Sequence, residues 1–229
     1  DWERLKKIMA DVKEATTLRK EAMEMCSKKP APATFFDWSA SLGGINYLLG
    51  RPECVPTYRE IWKEVKERAD RGEGAVVGER YRLYWDGIMC WPKFGHLAEK
   101  FAEKGACVVA GRYTHLGFYN APEKIDPEKP LESMAENMIA HHGQHNLDWL
   151  IDKVSELCEF YKIDGIICHA TRTCRFFSGL QLEIMNGVSR RLGIPATYFE
   201  ADMADETFYS DAQVDTRLTA LLETIESRR

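Results

Sequence analysis

The sequence predicts an α/β fold, a doubly wound parallel sheet of flavodoxin-like or Rossmann-like type with an N-terminal helical extension. Three observations carry this. Apolar residues up to about Gly74 recur at helical spacing, whereas strand-like and helical stretches alternate after it. The strand-like runs starting at Arg80, Ala106, Ile163 and Ala196 stand too far apart for hairpins. Crossovers of that length return the chain in parallel with helices on both faces.

The elements follow in order. Trp2, Leu5, Ile8, Met9 and Val12 predict a helix to about Met25, ended by Lys28 to Pro32. Thr57 with Glu60 reads as a capping box ahead of Ile61, Trp62 and Val65, so a second helix is expected to about Ala69. Residues 1–74 therefore form the helical extension and 75–229 the α/β lobe. Strands are expected at Arg80 to Trp85, Ala106 to Gly111, Ile163 to His169 and Ala196 to Phe199. Phe94, Leu97 and Phe101 give one intervening helix face, and a short helix is expected over Leu131 to Ala140. Leu147 to Cys158 give another face, and Leu182, Met185, Val188 and Leu192 a third, ending at Gly193. Ser210 with Gln213 caps a last helix carrying Val214, Leu218, Leu222 and Ile225.

Composition narrows the function. The 229 residues are 45% hydrophobic and 29% charged, which suits a packed core. A formal net charge of -5 argues against nucleic acid as a partner. No apolar run reaches the ~18 residues of a membrane helix and no signal peptide is evident, so a cytoplasmic protein is expected. The chain starts at Asp1 inside a helical pattern, which suggests a piece of a longer protein. Seven scattered cysteines without a CxxC pair make a disulfide framework improbable. Cys107, Cys158 and Cys168 lie on apolar patterns and read as small buried hydrophobes. Cys90 and Cys174 sit in loops just beyond strands.

In doubly wound sheets ligands bind beyond the carboxyl ends of the strands, which selects four loops. In Ala170 to Ser178, Cys174 stands between Arg172 and Arg175 ahead of a helix, surroundings that favour a thiolate. The other reading has both arginines holding carboxylates, with Cys174 merely small. Asp86 to Lys93 brings Cys90, Trp91 and Lys93 together, either to line an apolar pocket or to cover the core. The aromatic loop Arg112 to Tyr119, with Phe118, suits an acyl chain or a flat ring. In Ala201 to Ser210 three acids are expected to cap helices and pair with arginines. His141, His142 and His145 read as a solvated helix end rather than a zinc site, because Gly143 interrupts the helix and no third ligand is evident. No dinucleotide fingerprint, P-loop or serine-hydrolase elbow is present.

Two runs, Tyr84 to Pro92 and Ile163 to Arg175 with its Thr171-Arg172-Thr173-Cys174-Arg175 segment, resemble the 2-hydroxyacyl-CoA dehydratase family. The ending Gly193 to Asp205 followed by Tyr209 to Arg217 is similar as well. The resemblance covers the chain well from about Tyr81 onward. It implies a two-subunit component whose subunits each have two α/β lobes, with a 4Fe-4S cluster between the lobes held by three cysteines. Cys174 matches the last of these. The lobe carrying the other two has no counterpart here, and Cys90 is not a usual ligand position, though its loop is expected near the site. The chemistry implied is loss of water from a 2-hydroxyacyl-CoA to a 2-enoyl-CoA through a ketyl radical, after one electron arrives from a separate ATP-dependent iron–sulfur activator. Arg172, Arg175 and Lys93 are then expected to contact anionic or carbonyl groups of the coenzyme A thioester substrate, with Trp91 and Phe118 bordering its acyl part. Two alternatives remain, an aryl-CoA reductase subunit and a catalytically silent partner subunit.

Overall fold

A computed structural model describes residues 1–117 and 119–229. The helices among these are α1 (Trp2–Met25), α2 (Phe35–Ala40), α3 (Cys54–Arg71), α4 (Phe94–Glu103), α5 (Arg112–His115), α6 (Pro130–Ile139), α7 (Leu147–Phe160), α8 (Arg175–Ser178), α9 (Gln181–Leu192) and α10 (Asp211–Glu226). The strands β1 (Tyr81–Asp86), β2 (Ala106–Gly111), β3 (Gly165–Thr171) and β4 (Ala196–Ala201) form one parallel sheet in the order β2-β1-β3-β4. The expected doubly wound fold is therefore present. None of the described helices is long and apolar enough to cross a membrane.

Alternation along each strand divides the core into two layers, because successive side chains point to opposite faces. Tyr84, Cys107, Val109, Ile166 and Cys168 meet α1, α7 and α9 through Ala22, Met23, Val154, Cys158 and Ile184. Leu83, Trp85, Val108 and Ile167 face the other way and meet Phe35 and Phe36 of α2, Phe101 of α4 and Leu218 of α10. Cys107, Cys158 and Cys168 are buried in the first layer, as their apolar patterns imply. The edge strand β4 is the least covered, with Tyr198 partly exposed beneath the Arg217 guanidinium.

The first helices are tied to the sheet by a buried charge. Arg82 of β1 donates to Oε1 of buried Glu79 at 2.6 Å and to the carbonyls of Cys26 and Tyr161 at 2.6 and 2.7 Å. Oε2 of Glu79 accepts the Ala31 amide at 2.6 Å. Each charge is thus paired and hydrogen-bonded, the condition under which burial is tolerated.

Some boundaries differ from the sequence expectation. Thr57 forms no capping box: α3 starts at Cys54, and the Thr57 hydroxyl donates to the Glu53 carbonyl inside the first turn. Pro56 fits there because the first turn needs no amide donor. The capping box belongs to Thr34 and Asp37 at the start of α2, a helix the sequence pattern did not predict because six residues are too few to show a period. Strands β3 and β4 run to Thr171 and Ala201, beyond the expected His169 and Phe199, because they pair with each other in register to their ends.

Candidate functional site

In this strand order the chain passes from β1 outward to β2 and returns to β3 on the other side of β1, so a crevice opens beyond the carboxyl ends of β1 and β3. The loops carrying Cys90 and Cys174 leave those two ends. Cys174 lies at the N-cap of α8 and is half-buried, whereas the other six cysteines are buried. The helix after it is a single turn of four residues, too short for the dipole that the sequence pattern suggested.

The ground under Cys174 is a buried polar network. Asp86 ends β1, and Arg112 follows β2 one position beyond the Trp85 to Gly111 pairing, which sets the two side by side. Nη2 of Arg112 donates to Oδ1 of Asp86 at 2.8 Å and to the Phe177 carbonyl at 3.0 Å, and the guanidinium lies 4.8 Å from the Phe177 ring. Nε2 of Gln181 lies within hydrogen-bond reach of the carbonyls of Asp86 (2.9 Å) and His169 (3.1 Å) and of Oδ1 of Asp86 (3.2 Å). Nδ1 of His169 is 2.7 Å from the Ile88 carbonyl, which can only accept, so this nitrogen carries the proton. Burial pushes the His169 ring down from its ordinary value, keeping it neutral. Between these groups Gly87 adopts φ 117°, where a Cβ would stand 2.5 Å from the His169 carbonyl. No other residue fits there.

The loops after β3 and β4 are pinned to one another. Thr173 Oγ1 donates to Oδ2 of Asp202 at 2.6 Å, while Oδ1 accepts the amides of Ala204 and Asp205 at 3.0 and 3.1 Å. The Thr173 hydroxyl and then the Ala204 amide hold the Asp202 carboxyl down to about 2. A folded-state value below the unfolded one of ~3.9 gives stability that is complete above that pH and is lost as pH falls towards 2. Asp202→Asn is accordingly expected to flatten the pH dependence of stability between about pH 4 and 2, read by urea unfolding at each pH. A variant as acid-sensitive as the parent across that window would remove Asp202 as the cause.

The sequence-selected residues are distributed over this rim. Arg172 pairs with Glu200 at 3.2 Å and lies over the Phe208 ring, and Lys93 pairs with Glu206 at 2.9 Å. Both pairs are largely exposed, worth little, and open to exchange for another anion. Arg175 is exposed at the first position of α8. Trp91 is half-exposed, stacked on Phe94 and edge-on to Tyr113. Phe118 lies outside the described residues. Cys90 is fully buried beside Met89 and Trp85, and burial pushes its thiol up, so its loop reaches the rim while its sulfur does not. Of the three acids after β4, Asp205 caps the turn Glu206–Phe208 as expected, whereas Glu206 takes Lys93 rather than an arginine and Asp202 takes Thr173 and backbone amides.

The histidines differ from the solvated helix end that the sequence suggested. His142 is buried because a tight turn at His142–Gln144 directs its ring onto Phe176 and Phe177, at centroid distances of 5.0 and 5.3 Å. Burial, then the Arg112 charge, pushes it down to about 2, so the ring is neutral. His145 stacks on Trp149 at 3.7 Å. Sequence reasoning also missed Asp86, Arg112 and Gln181 as a unit. The available signal was an acid and an arginine each directly after an expected strand, but only the strand order makes them neighbours.

Comparison with known proteins bears on this arrangement. Residues 1–225 match the family model described as 2-hydroxyglutaryl-CoA dehydratase, D-component. The chain is 26% identical to a benzoyl-CoA reductase subunit of Thauera aromatica over 243 residues, covering 100% of this chain and 55% of that protein. It is 26% identical to the (R)-2-hydroxyisocaproyl-CoA dehydratase alpha subunit of Clostridioides difficile, with 100% and 55% covered. The (R)-phenyllactyl-CoA dehydratase alpha subunit of Clostridium sporogenes is 25% identical, again with 100% and 55% covered. The chain thus spans about half the length of the curated relatives it matches. A parallel sheet with its switch point at the Cys174 loop and a family match over residues 1–225 agree: the chain belongs to the 2-hydroxyglutaryl-CoA dehydratase D-component family.

Proposed function

We propose that this chain is part of a cytoplasmic 2-hydroxyacyl-CoA dehydratase component, which eliminates water from a 2-hydroxyacyl-CoA to give the 2-enoyl-CoA. The observation that carries the reading is the family match together with one half-exposed thiol, Cys174, at the switch-point crevice between Arg172 and Arg175. In the assembled protein Cys174 would be one thiolate ligand of a 4Fe-4S cluster. Among the described residues no three His, Cys, Asp or Glu side chains gather as a metal site, so the remaining ligands would come from elsewhere in the full-length protein. Such a cluster, when bound, supplies one-electron transfer and a Lewis-acidic iron.

The chain's own residues would bind and orient the thioester. Phosphate and carbonyl groups of coenzyme A compete with Glu200 and Glu206 for Arg172 and Lys93, and Arg175 adds a further cation. Trp91 and Phe118 would border the acyl part. Exposed Trp91, Phe176, Leu180 and Phe208 on the same rim support a face that is covered in the complete protein, next to a second homologous subunit. The test is to supply the anaerobic full-length complex with its ATP-dependent iron–sulfur activator, ATP, and panels of 2-hydroxyacyl-CoA and aryl-CoA thioesters. Enoyl-CoA formation that requires both activator and ATP is expected. Ring reduction without dehydration would instead establish an aryl-CoA reductase subunit, and no turnover with an iron-free subunit a silent partner.

A further inference from the structure

A cavity of about 190 Å³ opens beside the Cys174 turn, walled by Ile45, Tyr113, Phe176, Phe177 and the ring of His142. Asn46 and Asn120 contribute its amides, and Asn120 is already engaged by Arg19. The described residues lining it include no Lys, Arg, Asp or Glu. Phe176 and Phe177 follow Cys174 directly, and Tyr113, edge-on to Phe177 at 5.7 Å and to Trp91 at 6.4 Å, joins the cavity to the rim. Its size is that of a ring: a cavity of about 150 Å³ lined by aliphatic and aromatic side chains takes benzene.

We propose that this cavity is the acyl subsite, and that it selects an uncharged, ring-sized acyl group over short or dicarboxylic ones. The proposal rests on the coenzyme A thioester reading above. Two features give the selectivity. Aromatic faces and edges on several sides reward a flat apolar group through burial and edge contacts. A second carboxylate, by contrast, would enter a site with no cation to pair it. The two lining histidines, His141 and His142, are both pushed down by burial, His141 with its Nδ1 accepting the Gly143 amide, and the Arg112 guanidinium near Phe177 is already taken by Asp86, so none of them offers a counter-charge.

The test is anaerobic calorimetry on the full-length subunit in its complex, using thioesters that lack the 2-hydroxyl and do not react. 3-Phenylpropionyl-CoA is expected to bind about ten- to a hundredfold more tightly than propionyl-CoA, with glutaryl-CoA no tighter than propionyl-CoA. Leu42→Trp, at a half-buried wall position, should fill the cavity and abolish the phenyl advantage. Asn46→Lys, at an exposed position on the wall, should instead raise the affinity for glutaryl-CoA relative to propionyl-CoA. Equal binding of all three thioesters, or tighter binding of glutaryl-CoA by the unmodified protein, overturns the subsite while leaving the thioester reading intact. Failure of every thioester and of free coenzyme A to bind overturns both.

Discussion

Arg112→Met is expected to destabilise the protein by about 3–5 kcal/mol, because it leaves the Asp86 carboxylate buried without its partner. Both side chains of the pair are about 2% exposed or less, so water cannot replace the lost guanidinium. A loss of that size is a large share of the ~5–15 kcal/mol that holds a domain together, and low yield of the single variant is part of the expectation. The double variant Asp86→Leu with Arg112→Met should recover most of the loss, since apolar groups of similar volume can replace a buried pair. Urea unfolding of both single variants and the double variant gives the coupling. Additive losses would mean that the pair is not a unit. The Phe177 carbonyl also loses its donor in Arg112→Met, so the turn that carries Cys174 should loosen even where the fold survives.

Cys174→Ser in the complete complex is expected to remove the iron and with it essentially all turnover, whereas Cys107→Ser and Cys158→Ser should keep the iron. A hydroxyl nearly matches a thiol in size but is a much poorer ligand for cluster iron, so loss of one thiolate leaves a cluster labile. Cys107 and Cys158 are buried in the layer that the sheet forms with α1, α7 and α9, where burial pushes both thiols up. A serine there buries a hydroxyl at about 1–3 kcal/mol if it finds no acceptor, and stability alone should change. Iron content and activity of the three variants, purified without oxygen, separate ligand from filler. Full iron content in the Cys174→Ser complex would falsify the ligand assignment.

The parts legible in the sequence were those set by local pattern. Strand-like runs such as Ala106 to Gly111, the Gly193 stop after α9 and the Ser210 cap with Gln213 are short-range signals, and each has its counterpart in the fold. The buried roles of Cys107, Cys158 and Cys168 followed from the same periodicity. Where two caps competed, local pattern failed: Thr57 and Glu60 match a capping box as well as Thr34 and Asp37 do, but α3 had already begun at Cys54. Nor did spacing show that His142 turns inward, because the surface receiving its ring, Phe176 and Phe177, comes from more than thirty residues along the chain.

The sequence by itself determined a parallel doubly wound sheet and the four loops at its carboxyl edge, since alternation, crossover length and turn residues are properties of neighbouring positions. Only the tertiary structure decided which loops become one site. The order β2-β1-β3-β4 sets the Asp86 and Arg112 ends side by side and opens the switch point beneath Cys174. It also leaves Cys90 buried although its loop shares the same rim. Strand order and side-chain burial are settled by packing between residues distant in sequence. A charge pair such as Asp86 with Arg112 acquires its meaning only when both ends are withdrawn from water together.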